Sequence, residues 1–314
     1  MYVTLIVVAA LWGGATGLLL PRAAYRLSVE PEQAWRGSCP EGHPITGPAG
    51  GWLGGTRCAG CEAGVPALTP GTETERPAPE TAHAPAPDDA DAAPTPLAPA
   101  PPATTPPATT PPATTEPVTA VEPDEPRPPV APAAYAPSVL IPLLTALSCA
   151  ALAAATGPRP ELAVWLLFTP FAVLLALVDR HVHRLPDQLT LPLAAAAAVL
   201  LGVAALLPAA GGSWPSALLG GVALGACYFV LFLINPNGMG FGDVKLALSL
   251  GVALGWYGWQ VLFVGAFAGF LLGALYGLGL ILLRRAGRKS SIPFGPFMIT
   301  GALIGILLGG LAAA

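Results

Sequence analysis

Only four acidic residues follow position 138: Glu161, Asp179, Asp187 and Asp243. The chain around them is strongly apolar, and an ionisable group at membrane depth is costly enough to mark chemistry by default. Asp179 lies in Leu177-Val178-Asp179, with Pro186-Asp187 seven and eight residues on, and Asp243 closes Gly240-Phe241-Gly242-Asp243. Two carboxylates within a few ångströms cannot both ionise easily, so one keeps a proton and the pair shares it across a water. One can then take a proton from that water while the other protonates or hydrogen-bonds a scissile carbonyl. Such a pair suits peptide hydrolysis without a covalent intermediate. Gly240 and Gly242 permit positive φ and close backbone approach, so a substrate strand is expected beside Asp243.

Plainer roles compete for the same residues. Asp187, directly after Pro186, reads as a helix N-cap, and Asp243 fits that role too. Gly-x-Gly also suits tight helix packing. No cap is expected of Asp179, which follows its helix and opposes the dipole there. Glu161 beside Arg159 reads as an interfacial residue. His181 and His183 read as solvated or headgroup contacts rather than metal ligands.

A second constellation is Cys39-Pro40-Glu41-Gly42-His43 followed by Cys58-Ala59-Gly60-Cys61. Two close pairs of soft or borderline ligands can surround one tetrahedral zinc, with Gly-containing turns aiming each pair inward. In a reducing compartment a structural zinc is expected in preference to disulfides. The bland alternative is a set of unpaired thiols in a Gly-rich loop. Cys149 and Cys227, inside apolar runs, are expected to be small buried residues.

The elements that must hold these groups follow from composition. The 314 residues are 54% hydrophobic and 10% charged, with mean hydropathy +0.63; soluble domains carry about 25% charge. No basic face exists, which excludes a nucleic-acid partner. The pattern predicts an all-α polytopic membrane protein with about eight transmembrane helices, near 2–20, 138–157, 161–178, 189–208, 216–235, 244–256, 259–283 and 293–313. The sixth is too short to span unaided, so it borrows from its flanks or is supported by neighbours around a cavity. Four units result: a first transmembrane helix at 1–20, a cytoplasmic Cys/His loop at 21–65, a Pro/Ala/Thr-rich disordered linker at 66–137, and a seven-helix membrane domain at 138–314. The linker holds 22 of the 38 prolines and repeats PPATT three times, without Phe, Trp or Ile, so it cannot bury enough surface to order itself.

Basic residues set the orientation. With the N-terminus outside, 13 of the 14 Lys and Arg face the cytoplasm, Arg159 being the exception. A cleaved signal peptide at 1–20 lacks a basic n-region and would turn every later basic loop outward. Two spans separate Asp179 from Asp243, so the chain crosses and returns, bringing both to the cytoplasmic face.

At these residues the sequence resembles the prepilin leader peptidases, membrane aspartyl proteases of the GxGD type. The resemblance rests on Leu177-Val178-Asp179, Pro186-Asp187, Leu191-Pro192, Gly238 to Leu246, Gly255-Trp256 and Ile292 to Phe297, and covers most of 138–314. It implies Asp179 and Asp243 as the catalytic dyad. It implies prepilin or pseudopilin substrates, cut at the cytoplasmic face of the bacterial inner membrane between a short basic leader and the hydrophobic helix that follows it. Many members also methylate the new N-terminus with S-adenosylmethionine. Here the first 137 residues depart from the family pattern: Gly17-Leu18-Leu19-Leu20-Pro21 replaces Gly-Ser-Phe-Leu-Asn, C-x3-H replaces one C-x2-C, and the linker replaces a short connection. Methylating members rely on that region, so S-adenosylmethionine enters only if methylation is retained. Two other classes stay open from the residues alone: a catalytically silent membrane scaffold, and a proton-coupled transporter using Asp179 and Asp243 as a relay.

Overall fold

Long apolar runs cannot expose backbone polar groups to lipid, so they close their hydrogen bonds internally as helices. The computed structural model describes residues 2–29, 33–55, 57–64, 139–183, 185–236, 238–283 and 293–313. By contact the chain divides into Met1–Leu68 with Pro132–Ala314, and Thr69–Ala131. The expected linker at 66–137 therefore lies outside the described residues, as do Arg184 and the basic residues of 284–292.

The elements in chain order are α1 (Tyr2–Leu27), the single turns α2 (Pro48–Gly51) and α3 (Ala59–Glu62), then α4 (Leu140–Thr156), α5 (Glu161–Val182), α6 (Asp187–Ala205), α7 (Trp214–Ile234), α8 (Phe241–Gly255), α9 (Trp259–Leu282) and α10 (Gly295–Ala312). All-α architecture is thus observed, and a helix falls at each of the eight predicted spans. Six of them, α1, α5, α6, α7, α9 and α10, are long and apolar enough to cross a membrane, while α4 is a shorter apolar helix.

Two boundaries differ from the sequence reading with consequences. α1 runs on past Pro21 to Leu27, so Arg22 and Arg26 stand on its last turns rather than in a loop. α8 has only 15 residues, about 22 Å at 1.5 Å per residue. It is the element closed in by neighbours, packing against α6, α7, α9 and α10, which is the second of the two expected ways to support so short a helix.

Small residues bring the helices together, because lipid offers no hydrophobic drive for helix association and van der Waals contact must supply it. On α7 and α8, Gly220 and Gly251 meet: a Cβ on Gly251 would lie 2.5 Å from the Gly220 carbonyl oxygen. On α9 and α10, a Cβ on Gly301 would lie 2.4 Å from the Gly269 nitrogen. α1 crosses α4 at Gly13, where a Cβ would approach the Thr145 carbonyl oxygen to 2.5 Å.

Two of the residue readings need correction here. Glu161 is not interfacial but fully buried, its Oε1 accepting the Gly211 N–H at 3.0 Å. That bond closes the 206–213 loop over the start of α5. Cys149 is buried as expected, but Cys227 is exposed on α7, turned away from its neighbours.

The α7–α8 contact carries a testable consequence. Gly251→Val places branched carbon where backbone already stands, and overpacking of this kind costs about 1–3 kcal/mol. The variant is expected to show a lower unfolding midpoint than the parent in detergent, followed by helical circular dichroism.

Candidate functional site

Asp179 belongs to the last turn of α5, four residues before the chain reverses. The reversal is made by His183, which adopts the left-handed conformation at φ 52° and ψ 36° and donates its N–H to the Asp179 carbonyl oxygen at 2.8 Å. Asp243 sits in the first turn of α8. α6 and α7 carry the chain away and back between them, so the two aspartates reach one cavity although 64 positions separate them. Both line one cavity of about 580 Å³ with His183, Leu185, Lys245 and the Gly240–Gly242 turn. Both side chains are nearly buried, at 4% and 7% exposure.

Each carboxylate is held by a backbone N–H at the start of a helix. Asp179 Oδ2 accepts the Gly295 N–H, the first of α10, at 2.9 Å. Asp243 Oδ2 accepts the Gly240 N–H at 3.3 Å, while its own N–H returns to the Gly240 carbonyl at 3.0 Å. Helix N-termini carry partial positive charge from unsatisfied N–H groups, which suits a carboxylate. The expectation that Asp179 has no cap role is therefore wrong: it caps a helix other than its own. Residues 116 positions apart are invisible to local spacing as partners. Among the described residues neither carboxylate makes another hydrogen bond, which leaves each Oδ1 to the cavity.

The glycines of the turn act differently from one another. Gly240 has φ −73°, and Gly242 is helical, so positive φ is required at neither. Gly242 serves close approach: a Cβ there would lie 3.0 Å from Leu185 Cβ and 3.4 Å from its nitrogen. The neighbour is thus the chain's own α5–α6 connection. A Cβ on Gly240 would make only ordinary contacts, with Asp243 Oδ2 at 3.7 Å and the Gly242 nitrogen at 3.9 Å.

Asp187 opens α6 but makes no side-chain cap, contrary to the sequence reading. Its Oδ2 instead pairs with Lys245 Nζ at 2.5 Å across α6 and α8. Lys245 also lies over the Phe241 ring at 4.7 Å. This pair at the cavity wall was missed, because the sequence reading used Lys245 only as an orientation marker. Of the two histidines, His181 is exposed, its Nδ1 2.7 Å from the Leu177 carbonyl oxygen, and only His183 reaches the cavity.

The second constellation assembles as spaced. The hairpin between Ser38 and Pro44 turns at Gly42, with φ 85°, and brings Cys39 beside His43. Cys58 precedes the single turn α3, which carries Cys61. Gly60 lies flat against the imidazole, where a Cβ would come within 2.8 Å of His43 Cγ. Cys39 Sγ lies 3.7 Å from Cys61 Sγ, and His43 Nδ1 lies 3.3 Å from Cys61 Sγ. The ligand atoms of Cys39, His43, Cys58 and Cys61 fall within 4.8 Å of one another, so the group could hold a metal ion. Tetrahedral coordination with metal–sulfur bonds of about 2.3 Å implies sulfur–sulfur edges of about 3.8 Å, close to what is seen. Without a cation, desolvation, followed by Cys39 and Cys58 nearby, pushes the Cys61 thiol up to about 11. A bound divalent ion reverses that preference, because thiolate is the ligating form.

The loop is bolted to α1 by the two arginines that spacing had marked only as positive-inside. Arg22 donates to the carbonyl oxygens of Thr46, Gly55 and Arg57 at 2.8, 3.3 and 3.2 Å. Arg26 donates to the Gly50 carbonyl at 2.7 Å and lies over the Trp52 ring at 4.2 Å.

Comparison with known proteins follows the aspartate-bearing stretch. Residues 166–278 match the type IV leader peptidase family. The chain is 37% identical over 171 residues to the prepilin leader peptidase/N-methyltransferase of Aeromonas hydrophila, covering 54% of this chain and 58% of that protein. It is 36% identical over 171 residues to the protein of the same name from Aeromonas salmonicida (strain A449), covering 54% and 57%. It is 33% identical over 175 residues to the one from Pseudomonas aeruginosa, covering 54% and 58%. The match spans less than two thirds of the length of these relatives. No solved structure matches the chain.

The sulfur and nitrogen geometry makes a direct prediction. Cobalt(II) added to the purified metal-free protein is expected to give visible and near-ultraviolet bands of tetrahedral thiolate coordination, saturating at one ion per chain. Cys39→Ser should weaken binding by about a hundredfold, since four ligands share some 10–16 kcal/mol.

Proposed function

We propose, from the match of residues 166–278 to the type IV leader peptidase family, that the chain is a membrane aspartyl endopeptidase cleaving the leaders of type IV prepilin-like proteins. The observation that carries this reading is the shared cavity: Asp179 and Asp243 line it together, each with one carboxylate oxygen held by a backbone N–H. That arrangement presents two acids to one cavity while holding one oxygen of each.

In this reading one carboxylate is ionised and its partner protonated, the shared proton lowering the cost of two like charges. The ionised carboxylate takes a proton from water as the water oxygen attacks the scissile carbonyl. The protonated one hydrogen-bonds and then protonates the carbonyl oxygen, giving a neutral gem-diol. Collapse breaks the C–N bond, with the proton passing to the departing amine. Lys245, paired with Asp187, keeps the α5–α6 connection against the Gly240–Gly242 turn and so holds the two carboxylates at one distance. Gly240 and Gly242 form the wall against which substrate backbone lies.

The membrane domain proposed for 138–314 contributes seven helices and α1 the eighth span, with the N-terminus outside and the cavity toward the cytoplasm. The setting is the bacterial inner membrane, with prepilins or pseudopilins as partners. The Cys39, His43, Cys58 and Cys61 group is assigned a structural zinc, which would tie the two knuckles of the 21–65 loop together. Proteolysis is the activity proposed; N-methyl transfer, named for the relatives, is left to the same measurement, with S-adenosylmethionine a cofactor only if that transfer is retained.

Co-expression with a prepilin, followed by mass spectrometry of its mature N-terminus, tests the reading. The parent is expected to give the truncated product, one methyl group heavier if transfer is retained. Asp179→Asn and Asp243→Asn, each inserted normally, are expected to lower cleavage by at least about 10²–10⁴-fold. Full processing by either variant refutes the dyad. Gly295→Ala adds a finer test, because its Cβ would lie 2.8 Å from Asp179 Oδ2. It should impair cleavage severely although Ala is the better helix former.

A further inference from the structure

A second cavity, of about 540 Å³, runs between α1, α5 and the start of α6 beneath Trp35 and Trp52. Its walls are two helix stripes. On α1 they run from Trp12 through Thr16 and Leu19 to Leu27, and on α5 from Leu167 through Phe171 to Leu174. The spacings of three and four residues place each set on one helix face. Leu19, Leu167 and Phe171 are 38–43% exposed, which in a soluble protein would be anomalous and here opens the groove sideways to lipid. Trp35 and Trp52 meet edge to face at 5.0 Å and close its end.

The groove is continuous with the aspartate cavity. Leu27, Trp35, Pro186 and Gln188 line both. From Trp12 to Leu27 the α1 wall rises about 22 Å at 1.5 Å per residue, long enough for about four helical turns of a ligand. From Leu174, Asp179 is five residues further along α5, about 7 Å. A rod lying in the groove therefore ends beside the two carboxylates.

We infer that this groove receives the apolar transmembrane helix that follows the scissile bond, so that helix docking between α1 and α5 sets which peptide bond reaches Asp179 and Asp243. The inference rests on the peptidase reading and adds to it the place where the substrate is measured. An apolar helix satisfies its own backbone groups and needs only complementary packing, which two helix faces supply. The strand that precedes it, in the aspartate cavity, meets polar groups instead, Gln188 at the junction and the Asp187–Lys245 pair beyond. The Cys/His loop contributes directly, because Trp52, held by Arg26, is part of the roof.

Two measurements test this on the full chain in membranes or detergent. Leu19→Trp narrows the groove at an exposed position and should fold normally. It is expected to raise KM about tenfold or more for a full-length prepilin, a change worth about 1.4 kcal/mol, with kcat little altered. A soluble peptide that spans the scissile bond but lacks the helix should be cut at the same rate by parent and variant. Equal loss on both substrates, or no loss on either, overturns the inference. In the second measurement, Leu167→Cys in the Asp179→Asn background is oxidised against prepilins bearing single cysteines along the helix. Crosslinks recurring every three to four residues are expected, and none, or an aperiodic set, overturns it in favour of lipid in the groove. Should the parent cut neither substrate, the peptidase reading itself fails, an outcome distinct from loss of the helix preference alone.

Discussion

Two buried carboxylates in an apolar bundle are the constraint around which the rest is arranged. Each is costly to desolvate, and each is offset by the same device, a helix N-terminus whose first N–H groups lack partners of their own. Asp243 takes its N–H from the turn that begins its own helix. Asp179 takes it from α10, the last helix in the chain, so the N-terminus of α10 must lie against the C-terminal turn of α5. Glycine at 295 suits that approach, since a Cβ there would lie 2.8 Å from Asp179 Oδ2 and make the carboxylate shift.

The same requirement explains why α8 is short and central. It must carry Asp243 in its first turn, at the level of the cavity, and end at Gly255, where it packs against Ser216 and Gly220 of α7. Glycines at both its crossings let α7 approach closely, and α6, α9 and α10 complete the enclosure. The ion pair between Asp187 and Lys245 then ties α6 to α8 at the cavity rim. In this way one polar cluster is shared by α5, α6, α8 and α10, elements with no reason from local sequence to meet at a point.

The N-terminal loop shows how a soluble element is attached to such a bundle. Arg22 gives three guanidinium donors and Arg26 one to loop carbonyls, a use that the planar fork of the side chain favours. Their position on the extended end of α1, rather than in a flexible loop, makes the attachment rigid. The Cys/His cluster supplies a second tie inside the loop, and the loop's Trp35 and Trp52 reach the groove beside α5.

Helix positions were legible because lipid demands long apolar runs with internally satisfied backbone, a rule that six of the eight meet by length. The candidate aspartates were legible for the converse reason, as rare charges in a region where charge is expensive. The Cys/His cluster was legible from C-x3-H and C-x2-C, since turns of that length leave few directions for the side chains. What failed were the roles of single polar groups. Glu161 read as interfacial and is buried, Asp187 read as a cap and is an ion-pair partner, and Asp179 read as capless and caps α10. Each of these depends on a partner 50 to 116 positions away, or on the other side of a helix crossing. Sequence alone determined which segments are helical and which few residues carry charge or metal-ligating chemistry, because those follow from the local cost of placing a group in lipid or a turn. Only the tertiary structure decided which of them meet, because helix crossings are set by the close contact of small residues, and that contact leaves no local signature.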